Sequence, residues 1–387
     1  MIRVGFICDT FELGGQELGC LALLRRIDRN RFAPHLYTFR PGNLLDDVAA
    51  LGIPVVIGYD KPASDATWTD LDEAARRDYG DTLTARLRDD RIDVCMVYAW
   101  RDGVAAAQAA GVGAIIERVD GIDLGSRIAD KSACARIVCE AKAVRDVILA
   151  QRSLLKCRRE QLRVIRNGID LTRFDPSRYD RAQCRAALGF RDREFVVGAL
   201  SRLAPEKNLE HLLRGIAELI HRYNKPESPI RTVIAGPDCG SLKSLEAEVA
   251  HLGIAEHVKF LPATAEVPQV LRALDVFAIT SLFEGVPFAL LEAMAMELPI
   301  VATPVGAIPE TIDDNGFLVS VQRTEGIVQA LRCLRSDFPL RHALAARSLA
   351  LSKRYDVNRM VREYEALILE VVQELPAQTA SRLEGAL

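Results

Sequence analysis

The sequence has no surplus of positive charge: 50 Lys and Arg against 53 Asp and Glu leave a formal net charge of −3 over 387 residues. That balance excludes a general nucleic-acid binder, which needs a basic surface, while local clusters can still hold phosphates. No stretch approaches the roughly 18 consecutive apolar residues of a membrane span. The opening "MIRVGFICDTF" has one Arg and a short strand-like run, without the apolar core and cleavage site of a signal peptide. The nine cysteines (Cys8, Cys20, Cys95, Cys134, Cys139, Cys157, Cys184, Cys239, Cys333) are odd in number and form no Cys-x-x-Cys pair or zinc-finger spacing. Scattered thiols suit a reducing compartment, so a soluble cytoplasmic protein is expected. Also missing are a G-x-G-x-x-G dinucleotide fingerprint, a short-period repeat and a low-complexity segment.

What the sequence has instead is alternation. At 387 residues it is long for one core and comfortable for two. Apolar runs at 2–8, 34–39, 53–58, 93–99, 113–119, 136–140 and 162–166 read as strands, with helical patterns at 15–27, 71–90 and 142–151. Around "RNGIDLTRFDPSRY" (166–179) the pattern breaks into Gly, Pro and charge. It restarts with strands at 194–201, 231–236, 257–262, 275–280, 299–303 and 316–320 and helices at 208–223, 241–252, 288–296 and 324–335. Near-continuous apolar strands alternating with helices imply parallel sheets covered on both faces. The predicted fold is α/β: doubly wound domains at 1–168 and 169–355, then 356–387, with an amphipathic helix over 356–374 and a frayed end. Ligands in such sheets bind beyond the carboxyl ends of the strands, and the cleft between two sheets is the default site.

Three strand-end loops carry chemistry. In "DTFELGGQE" (9–17), Gly14 and Gly15 let a ligand approach the backbone, and the following helix aims its positive end at an anion. The same pair also suits a plain tight turn. In "SRLAPEKNLEHLL" (201–213), Arg202 and Lys207 stand five apart on a loop ahead of a helix. They suit a diphosphate, which needs charge neutralisation and several donors, or are two solvated surface cations. In "SLFEGVPFALLEAMAMELPIVATPVGAIPE" (281–310), Pro287 suits the first residue of a helix. The amides near Val286, Phe288 and Ala289 would then form an anion site beside Gly285. Glu284 precedes this helix and reads as a cap or a ligand contact. Glu292 lies inside an apolar helix face, where a charge asks for a hydroxyl-rich or cationic partner. Together the loops describe a site for a sugar on a nucleoside diphosphate: Arg202 and Lys207 for the phosphates, Glu292 for the ribose, Glu284 for the sugar.

These segments, with "RNGIDLTRF", "AGPD" and "VKFLP", resemble the retaining glycosyltransferases of family 4 over nearly the whole chain, most strongly from 160 to 320. That family has the GT-B fold, two Rossmann-like domains facing each other across a cleft with a C-terminal helix returning to the first. The resemblance implies that the first domain binds the acceptor and the second the nucleotide sugar. It implies donor binding by the E-x7-E pair Glu284 and Glu292 and by the R-x4-K pair Arg202 and Lys207. It places Gly236 and the backbone at 259–264, hence Leu261 and Pro262, at the nucleotide, with Pro262 where a Gly is usual. A front-face reaction is implied, in which the leaving phosphate oxygen takes the acceptor's proton, with a UDP-linked donor and no required metal or cofactor. The sequence departs from the family where many members carry a His in a "TVHD"-like segment: the stretch here is "IIERVDGID" (115–123). The six histidines (His35, His211, His221, His251, His257, His342) all lie elsewhere. Asp120 is the nearest polar substitute and Arg118 the second, while Asp120 also suits a turn with Gly121.

Acceptor recognition falls to the first domain. "YAWRDG" (98–103) ends a strand, so Tyr98, Trp100, Arg101 and Asp102 join Arg118 as candidates. Trp100 either stacks on a sugar ring or packs against protein. The one Asp-x-Asp, "DLD" (70–72), lies at a helix start where capping and solvation explain it, so no metal ligand is assigned. The run "QRSLLKCRREQLRVIR" (151–166) sets six cations against one Glu. It reads as a solvated helix or as a peripheral contact with an anionic membrane surface. The expected activity is transfer of a sugar to a hydroxyl of a carbohydrate, glycolipid or natural-product acceptor. The rivals are a nucleotide-sugar epimerase of the same plan and a catalytically silent, nucleotide-binding partner of another transferase.

Overall fold

The structure, a computed structural model, describes residues 1–58, 73–98, 101–121 and 130–375, with 73–76 and 101 as backbone alone. Two compact units result, residues 1–168 with the chain from Val357 onward, and residues 169–356. In the first unit, strands β1 (Ile2–Cys8), β2 (Phe32–Thr38), β3 (Val55–Ile57), β4 (Val94–Tyr98), β5 (Ala114–Val119), β6 (Arg136–Cys139) and β7 (Leu162–Val164) form a parallel sheet. Its order is β3-β2-β1-β4-β5-β6-β7. In the second, β8 (Phe195–Leu200), β9 (Ile230–Ala235), β10 (Val258–Leu261), β11 (Val276–Ile279), β12 (Ile300–Ala302) and β13 (Gly316–Leu318) are likewise parallel. Their order is β10-β9-β8-β11-β12-β13. Both orders start in the middle and wind outward in two directions, so the switch points lie between β1 and β4 and between β8 and β11. This is the predicted α/β fold, two Rossmann-like units.

Apolar strands dictate this arrangement. The residues of β4 and β8 are buried throughout, as a parallel sheet covered on both faces requires. At the base of the second sheet a buried Arg185 donates to Asp275 Oδ2 at 3.3 Å, and Arg181 to Asp275 Oδ1 at 2.9 Å. Asp275 Oδ2 also accepts from the Val196 amide at 2.8 Å. This carboxylate fixes β8 against β11, with Val197 opposite Val276, and so sets where their carboxyl ends emerge.

The last helix, Val357–Gln373, belongs to the first unit. It buries Val357, Met360, Val361, Tyr364, Leu367, Ile368, Val371 and Val372 at three- and four-residue spacing, in one core with Phe6, Leu23 and Met96. Each such side chain stabilises by about 1.5–3 kcal/mol. The chain leaves and re-enters the unit at adjacent points: the Ile169 amide donates to Tyr355 O at 2.8 Å, and a Cβ on Gly168 would stand 2.5 Å from Val357 Cα. Among the described residues no helix is long and apolar enough to cross a membrane.

Gly168→Ala is expected to lower unfolding stability by about 1–3 kcal/mol, because backbone cannot yield as a side chain does. Gly80→Ala is expected to raise it by about 0.5–1 kcal/mol, since a Cβ there meets nothing within 4 Å in the helix Glu73–Asp89. Urea melts of the two variants should move in opposite directions.

Candidate functional site

β8 and β11 are neighbours, so the loops leaving their carboxyl ends run side by side. The first carries Arg202 into a 3-10 turn, Pro205–Lys207, and Asn208 at φ +49° turns the chain into the helix Leu209–Tyr223. This turn is stitched to the second loop. The Leu282 amide donates to Glu206 O at 2.9 Å, and Thr280 Oγ1 donates to Asn208 O at 3.1 Å. Across the seam Lys207 Nζ donates to Glu284 Oε1 at 2.7 Å, the two side chains 16% and 11% exposed. Ser281 Oγ donates to the same oxygen at 2.6 Å. Arg202 is 52% exposed and pairs with Glu206 at 2.7 Å. Both expected phosphate cations thus hold carboxylates, Lys207 in a sheltered pair and Arg202 in a solvated pair that water competes for.

Pro287 stands at the N-cap of the helix Phe288–Ala295, one residue earlier than expected, because its backbone is still extended at ψ 126°. No side chain caps this end. The first amide to donate back is that of Leu290, to Pro287 O at 3.1 Å, so the Phe288 and Ala289 amides precede the hydrogen-bond ladder. Val286 is buried. Gly285 O accepts from the Ala307 amide at 3.3 Å. Gly306, at φ +59°, lies so close that a Cβ would stand 1.7 Å from Glu284 O, so only glycine fits.

Glu292 is partly exposed on the second turn of that helix. Burial pushes its carboxyl up to about 7, against the lowering pull of the Arg173 guanidinium. Gly236 follows β9 at φ +153°, its amide donating to Leu261 O at 3.1 Å. A Cβ on it would stand 1.8 Å from Ser201 O. This glycine therefore lets the loops after β8, β9 and β10 converge, with Leu261 ending β10 and Pro262 exposed beyond it. An open cavity of about 480 Å³ lies elsewhere in this unit, lined by Leu171, Phe174, Arg272, Glu297, Leu349 and Lys353 among others. It holds none of the candidate residues.

In the first unit Gly14 is the N-cap of the helix Gly15–Leu24. A Cβ on Gly14 would stand 2.3 Å from Glu17 Oε2, so the Glu17 carboxylate folds over the helix start. Sequence reasoning gave Glu17 no role, although an acid two residues after a glycine pair at a helix start was the available signal. Burial pushes its carboxyl up to about 7, Asp120 and Asp9 acting in the same direction and Arg118 against it. Asp120 follows β5 and accepts from Arg118 Nε at 2.8 Å. Gly121, at φ +80°, donates its amide to Glu140 Oε1 at 2.9 Å. Arg118 also donates to Asn167 Oδ1, and Asn167 Nδ2 to Glu140 Oε2 at 2.9 Å.

Two acceptor candidates are buried in the unit. Arg118 is 2% and Tyr98 1% exposed, with the guanidinium 5.7 Å from the Tyr98 ring centroid. Both are strand residues of a sheet covered on both faces; the Arg118 guanidinium is held by Asp120 and Asn167, while the Tyr98 hydroxyl is buried without a hydrogen-bond partner among the described residues. Asp102 lies in the first turn of the helix Arg101–Ala110. Trp100, Asp70, Asp72 and the end 376–387 fall outside the described residues, and Arg101 is backbone alone. The basic run is not one solvated helix. It is the short helix Arg152–Leu155, the 3-10 turn Arg159–Gln161 and then β7, with Lys156 paired to Asp130 and Arg163 to Glu370 at 2.8 and 2.6 Å. Among the described residues no group of three or more His, Cys, Asp or Glu is placed to hold a metal ion.

Lys207→Met should cost about 1–3 kcal/mol, and in a double-mutant cycle with Glu284→Gln the double variant's cost should fall short of the sum of the two single costs by about 1 kcal/mol or more. Glu292→Gln should behave differently with pH. A carboxyl raised from 4.5 to about 7 on folding takes up protons in the folded state. Its stabilisation is therefore full below about pH 4.5 and lost as pH rises through about 7. Denaturant melts should show Glu292→Gln gaining on the wild type between pH 5 and pH 8.

Residues 194–337 match the family described as "Glycosyl transferases group 1". The chain is 39% identical over 191 residues to the D-inositol 3-phosphate glycosyltransferase of Rhodococcus jostii (strain RHA1), which covers 47% of this chain and 41% of that protein. It is 28% identical over 209 residues to the lipopolysaccharide core biosynthesis mannosyltransferase LpsB of Rhizobium meliloti (strain 1021), 53% of this chain and 59% of that one. The chain thus spans about half the length of the curated relatives it matches. Its fold is similar to the crystal structure of Anabaena Alr3699/HepE in complex with UDP-glucose, at TM-score 0.81 and 21% identity over 96% of this chain and 100% of that one. It is similar also to WaaG, a glycosyltransferase involved in lipopolysaccharide biosynthesis, at TM-score 0.76 and 15% identity over 94% and 99%. Residues 194–337 therefore form a glycosyl transferases group 1 domain, in a chain whose two Rossmann-like units have the fold of the GT-B glycosyltransferases.

Proposed function

We propose that the chain is a retaining, metal-independent family 4 glycosyltransferase that moves a hexose from a UDP-linked donor to a hydroxyl of a carbohydrate, glycolipid or natural-product acceptor. The observation that carries the reading is the sheltered Lys207–Glu284 pair beside the uncapped helix start at Phe288, within the stretch that matches glycosyl transferases group 1. Under this reading residues 169–355 bind the nucleotide sugar. Lys207 and Arg202 exchange carboxylates for phosphate oxygens, and the amides of residues 286–289 complete the anion site. Glu284, relieved of its lysine, orients the transferred sugar. Glu292 accepts from the ribose hydroxyls, and the backbone at Leu261 and Pro262 meets the base, with Gly236 beside it.

Residues 1–168 supply the acceptor side, with Trp100, Arg101 and Asp102 as contacts, Gly14 and Gly15 near the diphosphate, and Asp120 in place of the family histidine. As the bond from the sugar to the diphosphate breaks, its electron pair stays with the phosphate oxygen. Arg202, Lys207 and the helix start stabilise that charge as it develops. The acceptor hydroxyl adds from the same face, and its proton passes to the leaving oxygen. These cations and amides supply the positive charge, so no metal is required. The nine cysteines are free, which supports a cytoplasmic setting. Peripheral membrane contact through Arg152 and Leu154, the latter 61% exposed, would suit a glycolipid acceptor. The curated relatives are named as transferases, which favours transfer over epimerisation or silent binding.

A thermal-shift screen of UDP-, GDP-, ADP- and dTDP-sugars should give its largest stabilisation with a UDP-sugar. With that donor, Glu292→Ala and Arg202→Ala should each lose about a hundredfold or more in transfer at unchanged circular dichroism. Wild-type rates in both variants would overturn the reading, and donor interconversion without an acceptor would point to the epimerase.

A further inference from the structure

Arg173 has no part in the reaction described so far, yet it bonds to the loop that continues from two of the expected contacts, Leu261 and Pro262. It lies in the turn "DLTRF", where Asp170 Oδ1 accepts from the Thr172 and Arg173 amides at 2.9 and 3.1 Å and the Tyr179 hydroxyl donates to Arg173 O at 2.9 Å. The backbone is therefore fixed while the side chain reaches outward. The guanidinium lies over the Phe174 ring at 5.3 Å and donates through Nη2 to Ala265 O at 2.7 Å, in the loop that continues from Leu261 and Pro262. It also acts through space on the Glu292 carboxylate. We propose that Arg173 is a positioning residue for the nucleoside: it ties the base-reading loop to the turn at 170–174, beside the ribose contact. This rests on the donor site proposed above.

Among the described residues, the elements packed against the Glu292 helix leave the support of its charge to Arg173. Strands β11 and β12, which pack against its helix, carry no charged residue. The helix Phe338–Ser352 packs along it too and brings Arg341, His342 and Arg347. Arg341 is 3.9 Å from Asp275, Arg347 is 3.2 Å from Asp314, and the His342 ring lies 3.9 Å from that of Phe338. Burial alone therefore drives Glu292 toward the neutral acid, and Arg173 opposes it. A carboxylate accepts from both ribose hydroxyls, whereas the neutral acid has lost part of that capacity.

The test is UDP-glucose affinity by calorimetry from pH 5.5 to 8.5, a range in which the ligand's diphosphate diester stays fully ionised. Wild-type affinity should rise with pH through about 7, and Glu292→Gln should flatten the profile. Arg173→Ala should move the midpoint up by about half a unit or more, which is about a twofold loss of affinity near neutrality and about a threefold loss at the acid end of the range. Arg173→Lys should restore the midpoint by restoring the charge. At pH 8.5, where Glu292 is ionised in both proteins, Arg173→Ala should still narrow the preference for UDP over GDP, reporting the loop. An unchanged midpoint and an unchanged base preference in Arg173→Ala would overturn the proposal while the donor site stands. Failure of the wild type to bind UDP-glucose at any pH would overturn the donor site itself.

Discussion

Lys207 and Glu284 neutralise each other where neither charge is well solvated. Neither side chain is well exposed, so each is tolerated because the other is 2.7 Å away. The pair does more than cancel charge, since it joins the loops after β8 and β11. Around it the Thr280, Ser281 and Thr303 hydroxyls bond to main chain or carboxylate, and Gly306 clears room for the Glu284 carbonyl. A site assembled this way is set before any ligand arrives. An anion that displaces Glu284 from Lys207 meets a cation already in place and loses little to ordering it.

The sequence made the strands legible because burial on both faces leaves a plain mark, an apolar run of five to eight residues. It also made the second unit's loops legible, because Gly, Pro and charge follow those runs directly. The helix Phe338–Ser352 was not legible for the opposite reason. Its residues "FPLRHALAARSLALS" put no clear apolar stripe on one face, and it buries only Ser348, Leu351 and Ser352. The helix Arg101–Ala110 likewise consists of small residues with a Gly near its start. The first packs against the helices Phe288–Ala295 and Glu325–Ser336, and the second against the helix Glu73–Asp89 and the strands β4 and β5.

The first unit shows how the fold itself holds a charged residue near a strand end. An arginine in an apolar strand reads as a ligand contact, because burying it alone would be costly. Arg118 is buried but not alone: Asp120, Asn167 and the Tyr98 ring surround it, and Glu140 closes the network through Asn167 and Gly121. Those partners come from four separate parts of the sequence, and no spacing rule connects them. The same holds for Lys131 and Glu117, paired at 2.6 Å in the interior. What the network leaves at the strand end is the Asp120 carboxylate, held by a cation that cannot itself reach out.

The return of the chain to the first unit has a consequence for how the protein is made. Residues 169–356 form one uninterrupted stretch, so that unit can close its core once its own residues have left the ribosome. The first 168 residues emerge earlier but cannot finish, because the helix Val357–Gln373 supplies eight of their buried side chains. During synthesis the nascent chain therefore carries an open apolar groove while the later unit folds. Of the two units, the one translated earlier is completed later, and over that interval the face that the last helix covers stays open.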